Sequence, residues 1–372
     1  MREIKILHAA DLHLDSPFEG LPAAKAALRR EEQRMLLARL SELARQEHVQ
    51  LVLLAGDLLD SDHSYFETGE ELCRCLAGMG APVFIAPGNH DFYTEKSPWT
   101  RLELPGNVYL FTENRIRGME LKDLGLRVYG AAFNEKRSGP LLAGYHAERV
   151  PGVKNILVMH GEPGARPDSP YNPITEQQLQ ESGMDYVALG HIHKASGLRR
   201  AGDTWYAWPG CPEGRGFDET GEKSVNLVTL SDSGCGLETR CIAQRRYEAL
   251  SVDVTGADPL LAIHTMLPDE TVRDVYRITL TGETDEAPDL NRLRLNLAEL
   301  FFELQLRDET HIRRSLWEKA GDDTLRGLFL KKLRRQYDEA PDEAGRRAAE
   351  QAARWGLAAL DRREEAVRHD DP

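Results

Sequence analysis

The chain has 372 residues, of which 41% are hydrophobic and 29% charged, with a formal net charge of −14 at pH 7. That length predicts two or three domains, and no apolar run approaches the roughly 20 residues that span a bilayer, so no membrane association is expected. The acidic balance argues against a simple nucleic-acid coat, whose affinity comes from Lys and Arg on phosphate, but it leaves an enzyme that handles phosphates open.

At the start of the chain, charged Arg2, Glu3 and Lys5 run straight into an apolar stretch, so no signal peptide is expected there. Five apolar runs, at 4–10, 51–54, 83–86, 155–159 and 186–189, are short and rich in Val, Ile and Leu, as strands buried on both faces are. Each ends in residues that bind divalent metals. Asp11-Leu12-His13 follows the first, Gly56-Asp57 the second, and Gly88-Asn89-His90-Asp91 the third; His160 follows the fourth and Gly190-His191-Ile192-His193 the fifth. Side chains at the carboxyl ends of such strands converge on one rim. Between the first two runs, residues 22–47 read as an amphipathic helix with Leu28, Met35, Leu36, Leu40 and Leu43 on one side. His63 precedes a helix that Ser64 and Glu67 are expected to cap. The five cysteines, Cys73, Cys75, Cys211, Cys235 and Cys241, contain no Cys-x-x-Cys pair, which predicts reduced thiols in a cytoplasmic protein.

Farther along, strands are expected at 204–207, 225–230 and 238–243, with Gly-rich turns at 210–216 and 232–236. A second unit is expected from about residue 247, as strand 249–254, helix 259–267, strand 274–281, helix 290–300 and strand 302–306. Beyond residue 313 the pattern turns helical. Leu325, Leu328, Phe329 and Leu333 make an apolar stripe opposite Lys331, Arg334 and Arg335, and Pro341 separates it from a helix bearing Ala344, Ala348, Ala352, Trp355 and Ala359. Such stripes must bury against something, either a partner or the chain's own body. Residues 311–372 hold 14 Lys or Arg against 13 Asp or Glu, and residues 1–310 hold 33 against 48, so the acidic excess lies in the first part. The basic pairs Arg199-Arg200 and Arg245-Arg246 either extend a phosphate-binding surface or are simply solvated.

These residue types suit one chemistry. Hydrolysing a phosphodiester requires a strong nucleophile at neutral pH and neutralisation of charge on phosphate oxygens, and two metal ions about 3.5–4 Å apart provide both. Carboxylate and imidazole ligands suit Mn²⁺, Fe or Zn²⁺. Asp11 and His13, two apart at an extended strand end, project to the same side and can grip one ion, and His191 and His193 share that spacing. Asp57 has two oxygens that can face different metals, while Asn89 offers a carbonyl oxygen and His160 an imidazole. Taken singly, Asp11 and Asp57 also fit helix N-caps, Asn89 a turn, and His160 a buried structural histidine. Their coincidence favours ligation. His8, His48, His146, His264, His311 and His369 match no motif position and read as structural.

The segments Asp11-Leu12-His13-Leu14-Asp15-Ser16-Pro17-Phe18, Gly56-Asp57-Leu58-Leu59-Asp60, Gly88-Asn89-His90-Asp91, His160-Gly161-Glu162 and Gly190-His191-Ile192-His193 resemble, in order and wording, the calcineurin-like metallophosphoesterase superfamily. Within it they resemble the SbcD-type nucleases, most closely the YhaO-like DNA repair exonucleases. The resemblance implies an α+β fold of two packed mixed β-sheets flanked by helices in four layers. It implies a nuclease domain over 1–246, a small βαβαβ DNA-capping domain over 247–310, and a helical segment over 311–372 that docks on an SbcC-type coiled-coil ATPase. It also implies that Asp11, His13, Asp57 and His193 hold one ion and Asp57, Asn89, His160 and His191 the other, with Mn²⁺ the expected metal and Fe or Zn²⁺ the alternatives. His90 would face the phosphate, with Asp91 as its partner, and the protein would act on DNA as a homodimer. One departure stands out. Many SbcD-type nucleases carry a histidine three residues after the bridging aspartate, where this chain has Asp60; His63 is the nearby alternative. Hydrolysis of nucleotides, cyclic nucleotides or phosphoproteins fits the metal motifs equally. A purely binding role with an idle site is opposed by the complete ligand set.

Overall fold

The computed structural model describes residues 3–60, 65–312, 317 and 319–360. Its contacts divide the chain into two compact units, Met1–Tyr247 and Glu248–Pro372. His63 and Ser64, and with them the cap expected there, lie outside the described residues.

The first unit is built on two six-stranded mixed sheets. One contains β1 (Ile4–Ala9), β2 (Leu51–Leu54), β3 (Val83–Ile85), β4 (Val108–Leu110), β13 (Val225–Ser231) and β14 (Gly234–Arg240), in the order β14-β13-β1-β2-β3-β4. The other contains β5 (Arg117–Leu121), β6 (Leu126–Gly130), β7 (Lys154–His160), β10 (Tyr186–Gly190), β11 (Arg199–Ala201) and β12 (Thr204–Ala207), in the order β11-β12-β10-β7-β6-β5. A small parallel pair, β8 (Glu162–Pro163) and β9 (Pro173–Ile174), lies between β7 and β10 in the chain. The strands that precede the metal-binding motifs run parallel to their neighbours, β1 with β2 and β3, and β7 with β10, so their carboxyl ends come together in each sheet.

Alternation along each strand sorts side chains to two faces. Ile4, Ile6, Leu51, Leu53 and Phe84 meet Val128, Ile156, Val158, Tyr186 and Ala188 between the sheets. Leu7, Ala9, Val52, Leu54, Val83 and Ile85 turn outward onto Leu36, Leu37 and Leu40 of α1 (Ala23–Gln46) and Leu72 and Leu76 of α2 (Phe66–Ala77). On the far face of the second sheet, Leu157, Met159, Val187 and Leu189 cluster with Leu179 of α3 (Glu176–Glu181). Each Val, Leu, Ile, Phe or Met among them contributes about 1.5–3 kcal/mol on burial, and the rim therefore stands on a well-packed base.

Several expectations shift. The helix over 22–47 forms, but Met35 is 55% exposed and Leu28 41%, while Arg29, Glu32 and Gln33 are buried beside Leu36, Leu37 and Leu40. The first half of α1 thus buries a charged face: Arg29 bonds Glu32 at 2.8 Å and Glu213 at 2.5 Å, and Arg245 reaches Glu32 at 2.5 Å. Arg245 is therefore committed to an ion pair. Arg199 and Arg200 are exposed on β11, stacked over Trp208 and Trp205 at 5.0 and 4.9 Å. β14 starts at Gly234, inside the expected turn, because the hairpin pairs Ser231 with Gly234 and needs only Asp232 and Ser233 to reverse. Cys73 and Cys75 lie on α2, with Cys75 in the core.

In the second unit, a three-stranded sheet of β15 (Tyr247–Asp253), β16 (Val275–Thr281) and β18 (Glu303–Asp308) packs with α4 (Pro259–Met266) and α5 (Leu290–Leu297). Short β17 (Glu283–Thr284) and β19 (His311–Ile312) pair in parallel. Then α6 (Leu325–Asp338) and α7 (Glu343–Leu360) pack together through Leu330, Leu333, Ala353 and Leu357, with Ile312 and Trp317. The expected stripe holds in part: Leu333 is buried and Phe329 and Ala352 pack against the same cluster, but Leu325, Leu328 and Trp355 are 71%, 58% and 57% exposed. No helix among the described residues is long and apolar enough to cross a membrane.

Candidate metal centre

The turns after β1, β2, β3, β7 and β10 bring all the expected ligands together. Backbone geometry marks the place. Asp11, His13, Asp57 and His191 have φ of 54°, 45°, 52° and 100°, conformations that cost about 1–3 kcal/mol each outside glycine and persist only where their surroundings hold them. Part of that holding is visible: Asp11 N donates to Gly56 O at 3.0 Å and His13 N to Asp57 O at 2.9 Å. Gly88 is required for a different reason, since a Cβ there would lie 2.2 Å from Asp57 Oδ1 and 2.8 Å from the His160 ring.

Three donor clusters overlap at the rim: besides the two described next, His13, Asp57 and His90 also bring ligand atoms within 4.8 Å of one another. In the first, Asp11, His13 and His193 offer ligand atoms within 4.8 Å of one another, and the Nε2 atoms of His13 and His193 face each other at 3.2 Å. In the second, Asp57, His160 and His191 do the same, and Asn89 Oδ1 lies 3.0 Å from His160 Nε2 and 3.2 Å from His191 Nδ1. Asp57 Oδ2 stands between them, 3.3 Å from His160 Nε2 and 3.8 Å from His13 Nε2.

This donor set fits two divalent cations. The other ring nitrogens are already engaged: His13 Nδ1 donates to Asp60 Oδ1 at 2.9 Å, His193 Nδ1 to Glu219 Oε1 at 2.6 Å, and His160 Nδ1 to Ala55 O at 2.9 Å. The remaining nitrogens of His13 and His193 face each other, as do those of His160 and His191 beside Asn89 Oδ1 and Asp57 Oδ2, an arrangement that a cation about 2.0–2.2 Å from each would satisfy. Burial raises Asp11 to about 7, against the nearby His160. Asp57 is held well below the usual carboxylate range, because His160 and His13 outweigh the cost of burying its charge. The same ion pair lifts His160 to about 9 in spite of burial, whereas burial lowers His13 to about 4 and His191 to about 3.

His90 and Asp91 separate. His90 is exposed at the edge of the rim, its Nδ1 3.2 Å from Asp60 O and 3.7 Å from Asp60 Oδ1, with its ring edge-on to His13 at 4.7 Å. Asp91 does not partner that ring. Its buried carboxylate accepts from the backbone of Gly88 at 2.7 Å, Leu58 at 2.8 Å and Asp57 at 3.1 Å, bolting two motif turns together. Sequence reasoning missed Arg215 and Glu219, which touch His193 and Asp60, Arg215 from the segment read only as Gly-rich turn and Glu219 from just beyond it. No spacing or repeat announces them.

Residues 4–195 match the family described as calcineurin-like phosphoesterase, and the chain belongs to that family, whose members use a dinuclear metal centre. Among relatives, the Bacillus subtilis (strain 168) protein named "Uncharacterized metallophosphoesterase YhaO" is 32% identical over 72% of this chain and 68% of its own length. The DNA double-strand break repair protein Mre11 of Methanosarcina acetivorans is 26% identical over 76% of this chain and 47% of its own. A component of the nuclease SbcCD from Rhodobacter capsulatus is 31% identical over 34% of this chain and 27% of its own. The chain thus covers about half of that Mre11 and less of the SbcCD component.

Proposed function

We propose that this metallophosphoesterase hydrolyses phosphodiester bonds of DNA as an exonuclease or endonuclease, in DNA repair and in company with an SbcC-type coiled-coil ATPase. The observation that carries the hydrolytic part is Asp57 Oδ2 set between two imidazole pairs whose inward nitrogens face each other. Support for DNA comes from the names of the Mre11 and SbcCD relatives.

In this reading Asp11, His13, Asp57 and His193 hold one cation and Asp57, Asn89, His160 and His191 the other, Mn²⁺ by preference. When bound, the pair supplies a deprotonated water at neutral pH and positive charge for the phosphate oxygens. The protein does the rest. Asp57 Oδ1 accepts from His90 N at 2.9 Å, which ties the bridging carboxylate to the turn that presents the His90 ring. That ring, outside the ligand set and open to solvent, meets the phosphate and gives a proton to the leaving oxygen. Asp91 takes no part in proton transfer and fixes the two turns.

A second reading, hydrolysis of nucleotides, cyclic nucleotides or phosphoproteins, is favoured by the net charge of −14. End-labelled linear DNA and a generic phosphodiester ester, each with Mn²⁺ or with chelator, separate the two. We expect Mn²⁺-dependent shortening of the DNA, slowed about 10²–10⁴-fold by His90→Ala with metal binding intact. Ester cleavage with DNA untouched would move the assignment to a small substrate.

A further inference from the structure

His13 and His193 come from different sheets, after β1 and β10, yet the outer nitrogen of each ends on a carboxylate that shares one guanidinium. His13 Nδ1 donates to Asp60 Oδ1 at 2.9 Å and His193 Nδ1 to Glu219 Oε1 at 2.6 Å. Arg215 Nη1 lies 3.2 Å from that same Asp60 oxygen, and its Nη2 lies 2.7 Å from that same Glu219 oxygen. The loop is closed by Arg215 N, which donates to Glu219 Oε2 at 2.8 Å. His160 has no such support, since its Nδ1 meets only a main-chain carbonyl.

We propose that Asp60, Arg215 and Glu219 form one clamp that holds His13 and His193 with Nε2 bare, and so governs occupancy of the cation site these histidines share with Asp11. The site at Asp57, Asn89, His160 and His191 lies outside its control. The inference rests on the dinuclear reading above. An ionised carboxylate only accepts, so each histidine must carry its proton on Nδ1, and its lone pair is left on the inward nitrogen. One contact competes: Arg215 Nη2 is 3.3 Å from His193 Nδ1. A bond from the arginine would send the histidine's proton to Nε2 and block ligation, but Glu219 at 2.6 Å is much the closer partner. Arg215 offsets two carboxylates that would otherwise crowd negative charge behind Asp11. It also makes their spacing fixed, because the guanidinium is planar and reaches both at once.

The clamp is anchored from behind. Glu213, two residues before Arg215, bonds Arg29 of α1 at 2.5 Å and Arg39 at 3.4 Å, all within the first unit. Asp60, which stands where SbcD-type sequences carry a histidine, thereby has a task of its own: it orients an imidazole where the family residue would offer one. Arg215, Asp60 and Glu219 are positioning residues, since each acts on the cation site through the imidazole it holds.

Metal-stripped protein titrated with Mn²⁺ by calorimetry provides the test. Wild type is expected to bind in two resolvable steps. Asp60→Asn and Glu219→Gln should each weaken one step about 10–100-fold and leave the other unchanged, and Arg215→Met should weaken the same step. Because all three act on one ion, any variant whose thermal unfolding matches wild type reads the effect, so a single misfolded variant does not stop the experiment. Two unchanged steps in the folded variants, or two steps weakened alike, would overturn the clamp while leaving the dinuclear reading in place. A wild type without two steps, or an Asp57→Ala variant that keeps both, would overturn the dinuclear reading and the clamp with it.

Discussion

His8 shows how a residue of the motif strand that stays out of the site still bears on it. It lies between the sheets, taking a hydrogen bond at Nδ1 from the Tyr186 hydroxyl at 2.9 Å and donating from Nε2 to Leu189 O at 3.0 Å. Burial lowers it from 6.5 to about 3, against the pull of the Leu189 carbonyl. Below pH 6.5 the unfolded chain therefore takes up a proton that the folded chain refuses. Stability is complete above that pH and falls as the pH drops towards 3, by at most about 1.4 kcal/mol per unit for this one group. Urea unfolding of metal-free protein at pH 7 and pH 5 should show a smaller loss for His8→Gln than for wild type; an equal loss would contradict the assignment. At this scale the residues that gather at the rim were legible because each sits directly after an apolar run. Glu219 and Arg215 were not, since nothing local distinguishes a charged residue that supports a histidine from one that is solvated.

At the scale of elements, the runs before Asp11, Asp57, Asn89, His160 and His191 could be read as strands because burial on both faces leaves no polar alternation to confuse them. β5 escaped notice for the converse reason: its sequence, Arg117-Gly118-Met119-Glu120-Leu121, is mostly exposed. The helices existed as expected, but their stripes were right only in part. In α1 Leu36, Leu40 and Leu43 pack on the core as expected, whereas Leu28 and Met35 are exposed and the fold buries Arg29 and Glu32 in ion pairs with Glu213 and Arg245, which periodicity cannot foresee. In α6 the same error has a testable consequence. Leu330 is fully buried against α7 and Leu328 is not. Leu330→Ala should cost about 2–5 kcal/mol, and Leu328→Ala within about 0.5 kcal/mol of nothing, measured by denaturant unfolding. Equal losses would restore the stripe that periodicity alone selects.

For the whole molecule, every candidate ligand lies within the unit Met1–Tyr247, while Glu248–Pro372 contributes a small α+β sheet and a helical pair that already pack among themselves. The chemistry could therefore be inferred from about half the chain, residues 11–193, where motif order carries it. Substrate and partner could not, because their recognition is spread over surfaces with no fixed wording: the chain is acidic overall, and of its basic pairs Arg245 is tied to Glu32. The central claim is that hydrolysis depends on two cations bridged by Asp57. Its most direct test is the rate of phosphodiester cleavage by metal-stripped protein as Mn²⁺ is restored, for wild type and for folded Asp57→Asn. The account predicts that wild type regains activity along with two bound ions and that Asp57→Asn stays at background; wild-type rates in the variant, or full activity in stripped wild type before any metal is added, would contradict it.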